Sequence, residues 1–304
     1  MSTGSRRGVD ATGLAFAFGA YGLWGLFPPF FTALDPAGAA EITAHRIVWT
    51  FLFLAGVLVV FGRLGDVRAI RPRTWLLMAC ASALIATNWF IYVYAVNAQH
   101  AVDAAFGYFI NPLVSVLFGV VIFGERLNRY QTVALLIALA AVLLLSAEVS
   151  GPPLIALGLA VSFALYGAVK KVVPTDPRVS VGVESALAAP FAAAYLIGLQ
   201  VGGHAHFAGH GPGHLALLVL CGPVTAVPLL LFAAAAQRLP LVTLGVMQYL
   251  TPSMLMAWGV FVADEPMSGT RWAGFALIWA ALAVFTADAL ARARRGAKGT
   301  LLAS

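Results

Sequence analysis

Ten apolar runs, each long enough to cross a bilayer, follow one another along the chain with short breaks between them. They begin near Gly13, Ala39, Arg73, Val102, Tyr130, Pro152, Ser180, Gly213, Val242 and Thr270. Crossing the hydrocarbon core as a helix takes about 20 residues. Lipid offers no partner to a backbone N–H or C=O, so each run is expected to be an α-helix. Only 10% of the 304 residues are charged and 61% are hydrophobic, whereas a water-soluble domain carries roughly 25% charged residues. The expected fold class is all-α integral membrane, with ten transmembrane helices.

The breaks carry the charge. With the N-terminus in the cytoplasm, 16 of the 18 Lys and Arg residues fall on the inner side, leaving Arg271 outside and Arg46 near the outer end of the second span. Such a bias orients a membrane protein with both termini inside. It also accounts for the net charge of +6 without nucleic acid, because the basic residues sit in short loops. The run after Arg6 and Arg7 is too long for a signal peptide and is expected to stay as the first helix. Cys80 and Cys221 lie inside apolar runs and read as small hydrophobes.

One pair of spans organises the rest. VDAAFGYFINPLVSVLFGVVIFGE (Val102–Glu125) and VTLGVMQYLTPSMLMAWGVFVADE (Val242–Glu265) are offset by 140 residues, with Pro112 on Pro252, Gly119 on Gly259 and Glu125 on Glu265. Tyr249 falls opposite Phe109, and Thr251 opposite Asn111. Smaller matches agree: Tyr21-Gly22 with Tyr166-Gly167, Glu41 with Glu184, Ala98-Gln99 with Ala236-Gln237. An offset of five spans turns the second half upside down, which makes an inverted repeat. In the first of the pair, Asp103, Gly107, Asn111, Ser115 and Gly119 recur every fourth residue. They form one small, polar flank that should face other helices or a watery cavity. Pro112 lacks an N–H and should leave the Tyr108 carbonyl free for another partner.

Other polar residues within or near the spans are Asn88, Asn97, Gln99, Gln248 and Thr251, accompanied by Trp24, Trp89, Tyr92, Tyr108 and Tyr249. They line a solute cavity, or the amides tie helices together; both readings stand. In EITAHRIVW, Glu41, His45 and Trp49 share a face and Arg46 lies beside them. An ionisable cluster entering a membrane is a candidate gate or coupling site, with His45 as a proton carrier. The alternative is a snorkelling Arg46 with Glu41 as its counter-ion. Prolines at 28, 29, 112, 223, 228 and 252 bend spans as hinges or as fixed shape. GGHAHFAGHGPGH (Gly202–His214) is an outer loop, histidine-rich yet without regular ligand spacing, and glycine should make it floppy. The uniformly apolar fifth span is expected at the periphery. Small residues at Gly19, Gly22, Gly25, Gly158 and Gly167 offer close helix contacts. The chain lacks a Walker A loop, an HExxH motif, a CxxC pair and a GxSxG elbow.

The stretches EITAHRIVW (41–49), NWFIYVYAVN (88–97), GYFINPL (107–113), FGER (123–126), SFALYGAVKK (162–171), TAVPLLLFAAAAQRL (225–239), TLGVMQYLTP (243–252) and IWAALAVFTADA (278–289) carry a resemblance that covers nearly all of both halves. The chain resembles the EamA family of the drug/metabolite transporter superfamily. The resemblance implies two inverted five-helix EamA repeats, here 11–147 and 152–290, followed by a basic cytoplasmic tail at 291–304. It further implies a bacterial inner membrane location, and secondary transport of small organic solutes, usually outward, through a central cavity shared by the halves.

On this reading Asn111, Gln248, Asn88, Tyr108, Trp24 and Tyr249 contact the solute. Glu41, His45, Arg46, Asp103, Pro112 and Pro252 serve gating or coupling. No cofactor or metal is called for. The expected partners are a small-molecule solute, membrane lipid and a coupling proton, with the protein as monomer or homodimer. A membrane enzyme and a non-transporting receptor or scaffold are the competing readings.

Overall fold

Prolines interrupt two of the expected spans, and each break has a local cause. Pro28 and Pro29 have no N–H to return to the carbonyls of Trp24 and Gly25. Helix α1 (Ala11–Gly25) therefore stops at Leu26, and a short α2 (Phe27–Thr32) continues the rod. The second break falls in the span expected from Val242. Pro252 cannot donate to the Gln248 carbonyl, and the Thr251 N–H takes it instead at 3.2 Å. That tight turn divides the span into α11 (Leu241–Met247) and α12 (Leu250–Phe261). Its counterpart around Pro112 stays one helix, α6 (Ala101–Phe123). The two stretches that align in sequence therefore differ in continuity.

The structure, a computed structural model, describes residues 10–97, 101–148, 154–262, 264 and 267–301; the side chains of 96–97, 101–104, 148, 289–290 and 292–301 are outside that description. The remaining helices are α3 (Ala39–Val60), α4 (Leu64–Arg68), α5 (Pro72–Asn97), α7 (Arg129–Leu145), α8 (Leu154–Val172), α9 (Pro177–Val201), α10 (Gly211–Arg238) and α13 (Gly269–Leu301). Among the described residues, eight helices are long and apolar enough to cross a membrane, counting α1 and α2 as one. Helix α7 has 17 residues and is about 26 Å long at 1.5 Å per residue. A 3-10 turn at Ser146–Glu148 extends it. The basic stretch expected as a tail is a helical continuation of α13 as far as Leu301.

Each crossing helix takes its main partner from the other half of the chain. Helix α1 packs on α10 and α12, α3 on α9 and α10, α5 on α8 and α9, α6 on α8 and α11, and α7 on α13. Membrane helices approach closely only where side chains are small. A Cβ on Gly222 would stand 2.5 Å from the Trp49 carbonyl oxygen, one on Gly107 2.9 Å from that of Ala156, and one on Gly245 2.8 Å from that of Pro112. Gly19 and Gly25 make similar contacts with Leu231 and Met254, whereas Gly22 faces open space. Helix α7 turns Ala134, Ala138 and Ala141 toward α13 and leaves Leu136, Leu139 and Leu143 exposed. The fifth span is peripheral, as its uniform apolarity suggests.

Candidate functional site

Arg46 lies on α3, a helix long and apolar enough to cross a membrane, and has no ion pair among the described residues. An α-helix turns 100° per residue, so Arg46 lies about 140° around α3 from Glu41. The two side chains therefore point to different neighbours. The guanidinium lies 4.7 Å from the Trp89 ring centre, 5.3 Å from Phe31 and 5.7 Å from Phe27. Its Nε donates to Thr225 Oγ1 at 3.1 Å, its single hydrogen bond among the described residues. Tyr92, Tyr108 and Cys221 are near enough to interact with it electrostatically. No carboxylate among the described residues forms an ion pair with it.

Glu41 is engaged elsewhere. Its carboxylate accepts the His206 backbone N–H at 2.6 Å and meets His206 Nδ1 at 2.7 Å. His45, four residues on and on the same face, accepts from Trp49 Nε1 at 3.2 Å through Nδ1. The Phe207 ring stacks on His45 at 5.1 Å and on Trp49 at 6.0 Å. His45 Nε2 is buried without a partner. The loop expected to be floppy is thus folded over the start of α3. Glycines with φ of 71° at Gly203 and 97° at Gly209 permit its reversals. His206, His210 and His214 have ring centres 5.4 Å apart in sequence. No group of three or more metal-binding side chains within reach of one ion occurs among the described residues.

A second charged cluster was not anticipated. Lys170 and Glu184 are buried and paired at 2.7 Å. Ser180 donates to Glu184 Oε1 at 2.9 Å and receives a contact from Lys170 Nζ, while the Tyr166 hydroxyl reaches Oε2 at 3.3 Å. Beside the pair lies a cavity of about 20 Å³, lined by Thr50, Trp89, Tyr166, Glu184 and Ser185 among others. That is room for about one water. Its place in a Lys-Lys pair at the end of a span makes Lys170 read from sequence as an inner-side charge alone. The available signals were the four-residue spacings Tyr166–Lys170 and Ser180–Glu184, together with the alignment of Glu184 on Glu41.

Residues 11–147 and again 152–287 match the EamA-like transporter family. The chain is 46% identical to Protein RarD of Streptomyces exfoliatus over 93% of its own length and 91% of the relative's. It is 40% identical to the uncharacterized transporter YojE of Bacillus subtilis, over 93% and 94%. The chain belongs to the EamA-like transporter family. Protein RarD of Escherichia coli K12 is similar at 37% identity over 94% of this chain and 97% of that one. A solved crystal structure shares the fold, with a TM-score of 0.72 at 20% identity, covering 91% of this chain and 98% of the other.

Within this EamA-like chain the other expected site residues are distributed as follows. Asn88 donates through Nδ2 to the Leu159 carbonyl at 2.9 Å and Ser162 Oγ at 3.0 Å, tying α5 to α8. Trp24 sits in an aromatic cluster with Tyr21, Phe163 and Phe232. The polar flank of α6 is a packing seam, with Gly107 against α8 and Ser115 and Gly119 against α11. Asn111 is buried on that seam. Its Oδ1 accepts from Ser115, and its Nδ2 has no partner. Tyr108 pairs with Tyr92, ring centres 6.1 Å apart.

Gln248 is buried at the turn between α11 and α12 that Pro252 creates. Tyr249 donates to the carbonyl of Phe109 at 3.2 Å. The carbonyl on the Pro112 side that gains an outside partner is therefore one residue beyond the one expected, Tyr108. The Asp103 side chain and Glu265 lie outside the described residues.

The end opposite Glu41 is tied across the halves. Glu125 accepts the backbone N–H groups of Leu241 and Val242, both at 2.8 Å, and pairs with Lys171 at 3.2 Å. Lys171 also donates to the Leu239 carbonyl at 2.8 Å. Gly119 permits this approach, because a Cβ there would sit 2.8 Å from Glu125 Oε2.

Proposed function

We propose that the chain is a secondary transporter that moves a small organic solute outward across the bacterial inner membrane. It does so by alternating access between two inverted five-helix halves, 11–147 and 152–290, with both termini in the cytoplasm. The observation that carries this reading is Arg46: a guanidinium inside a span, faced by three aromatic rings and paired with no carboxylate among the described residues. A charge held at membrane depth is costly and marks a solute or ion path. Thr225, which holds its Nε, comes from the other half, so the site is shared between halves.

Helix pairing supports the inverted repeat. Exchanging the halves exchanges α1–α10 with α8–α5 and α3–α10 with α9–α5, while α3–α9, α6–α11 and α7–α13 map onto themselves. Arg46, Trp89 and Tyr108 contact the solute in this scheme. Asn111, Gln248, Trp24 and Tyr249 line its route, and Asn88 steadies α5 against α8. Glu41, His45 and the loop above them gate the outer side, with His45 Nε2 as the candidate proton carrier and Asp103 on α6 as a further coupling residue. Glu125 and Lys171 close the inner side, and Pro112 and Pro252 shape the two spans that must move. The protein works as a monomer or a homodimer.

Counterflow in proteoliposomes against a panel of metabolites, with and without a pH gradient, tests the proposal. Accumulation of a labelled solute that falls at least about tenfold in Arg46→Gln is expected. Turnover of a compound by the purified protein without vesicle uptake would favour the enzyme, and flux unaffected by Arg46→Gln would refute the site.

A further inference from the structure

Arg46 also limits what the solute can be. Among the described residues its Nη1 and Nη2 make no hydrogen bond, since Thr225 takes only Nε. Four N–H donors in one plane are thus unclaimed, in the fork that matches a carboxylate. Three of the described acids are engaged elsewhere: Glu41 by His206, Glu184 by Lys170 and Glu125 by Lys171. The surrounding groups are aromatic or neutral, namely Trp89, Phe27, Phe31, Tyr92, Tyr108 and Thr225.

We infer that the solute is an organic monocarboxylate with a flat, apolar body, its carboxylate held by Arg46 and its body among Trp89, Phe27 and Phe31. One unmatched positive charge selects one negative charge, because each ion alone is poorly solvated there and the pair is not. A cationic solute is disfavoured by repulsion from the guanidinium. An aliphatic polyol would leave the ring faces without an apolar partner. The inference rests on the transporter reading for its purpose, but its test is one of binding and does not need flux.

Three probes share one ring and differ in the end group: phenylacetate, phenylacetamide and phenethylamine. Each is titrated into the purified protein in detergent, with thermal unfolding and tryptophan fluorescence as readouts. Phenylacetate is expected to raise the melting temperature and to bind at least about tenfold tighter than the amide or the amine. Arg46→Gln removes that preference and Arg46→Lys restores part of it. Because the three probes are compared on the unaltered protein, the test survives a variant that fails to fold.

Equal binding of acid and amide, tighter binding of the amine, or no saturable binding of any probe overturns the inference. The two proposals fail separately. Acid-selective binding without vesicle flux leaves the site standing and removes the transporter. Flux of amines without acid preference does the reverse.

Discussion

The Tyr249 hydroxyl donates to the Phe109 carbonyl at 3.2 Å, and the two residues hold the same place in the two stretches that repeat at an offset of 140. This bond joins α6 to the turn before α12. Tyr249→Phe deletes the donor and keeps the ring. A loss of about 1 kcal/mol is expected, read as a small drop in melting temperature in detergent. No change would mean that the bond contributes nothing.

Glu125 acts as a remote cap. Helix α11 has seven residues, too few to stand alone in water, and its first N–H groups have no intrahelical acceptor. The Glu125 carboxylate accepts two of them. Glu125→Ala should cost about 2 kcal/mol, and Glu125→Gln about half of that, since an amide oxygen still accepts. Amide exchange across 241–247 should rise in the alanine variant and much less in the glutamine one.

Lys170 and Glu184 are a buried pair whose separation is more damaging than its removal. Lys170→Met leaves an unmatched carboxylate in the interior and should cost about 3–5 kcal/mol. The double change Lys170→Met with Glu184→Leu should recover much of the loss. Thermal melts of the four proteins of this cycle measure it, and purely additive losses would show that the two charges do not depend on each other.

Asp176 precedes the α9 span and caps it by accepting the Arg178 N–H at 2.9 Å. The Arg178 guanidinium, hydrogen-bonded to the carboxylate, holds the Asp176 carboxyl below its ordinary value of 3.8. A folded-state value below the unfolded one adds stability that is complete above pH 3.8 and fades as the pH falls through the lower folded value. Asp176→Asn keeps an acceptor for the cap and removes the charge. It should cost about 0.5 kcal/mol at neutral pH and nothing in strong acid, as read from melting temperature against pH.

Much of the scaffold could be read from neighbouring residues. Apolar runs of span length, Pro28-Pro29 and Pro252 without N–H groups, and the peripheral run after Tyr130 each act through chemistry within a few residues. The four-residue flank from Gly107 to Gly119 announced a face turned toward other helices or a watery cavity; α8 and α11 occupy it. The eight stretches from EITAHRIVW to IWAALAVFTADA were enough to suggest the family.

What answers each polar group could not be read that way. Glu41 meets His206, 165 residues later, and Glu125 meets Leu241, 116 later. Lys170 is sealed against Glu184, and Arg46 has aromatic rings where a carboxylate was one candidate. The sequence by itself determined that these groups enter a membrane and need partners, because solvation in lipid depends on the side chain alone. Only the tertiary structure decided which partner each one found. That choice depends on which helix faces meet across the two halves, and the meeting is set by packing at Gly107, Gly222 and Gly245, far along the chain from the charges concerned.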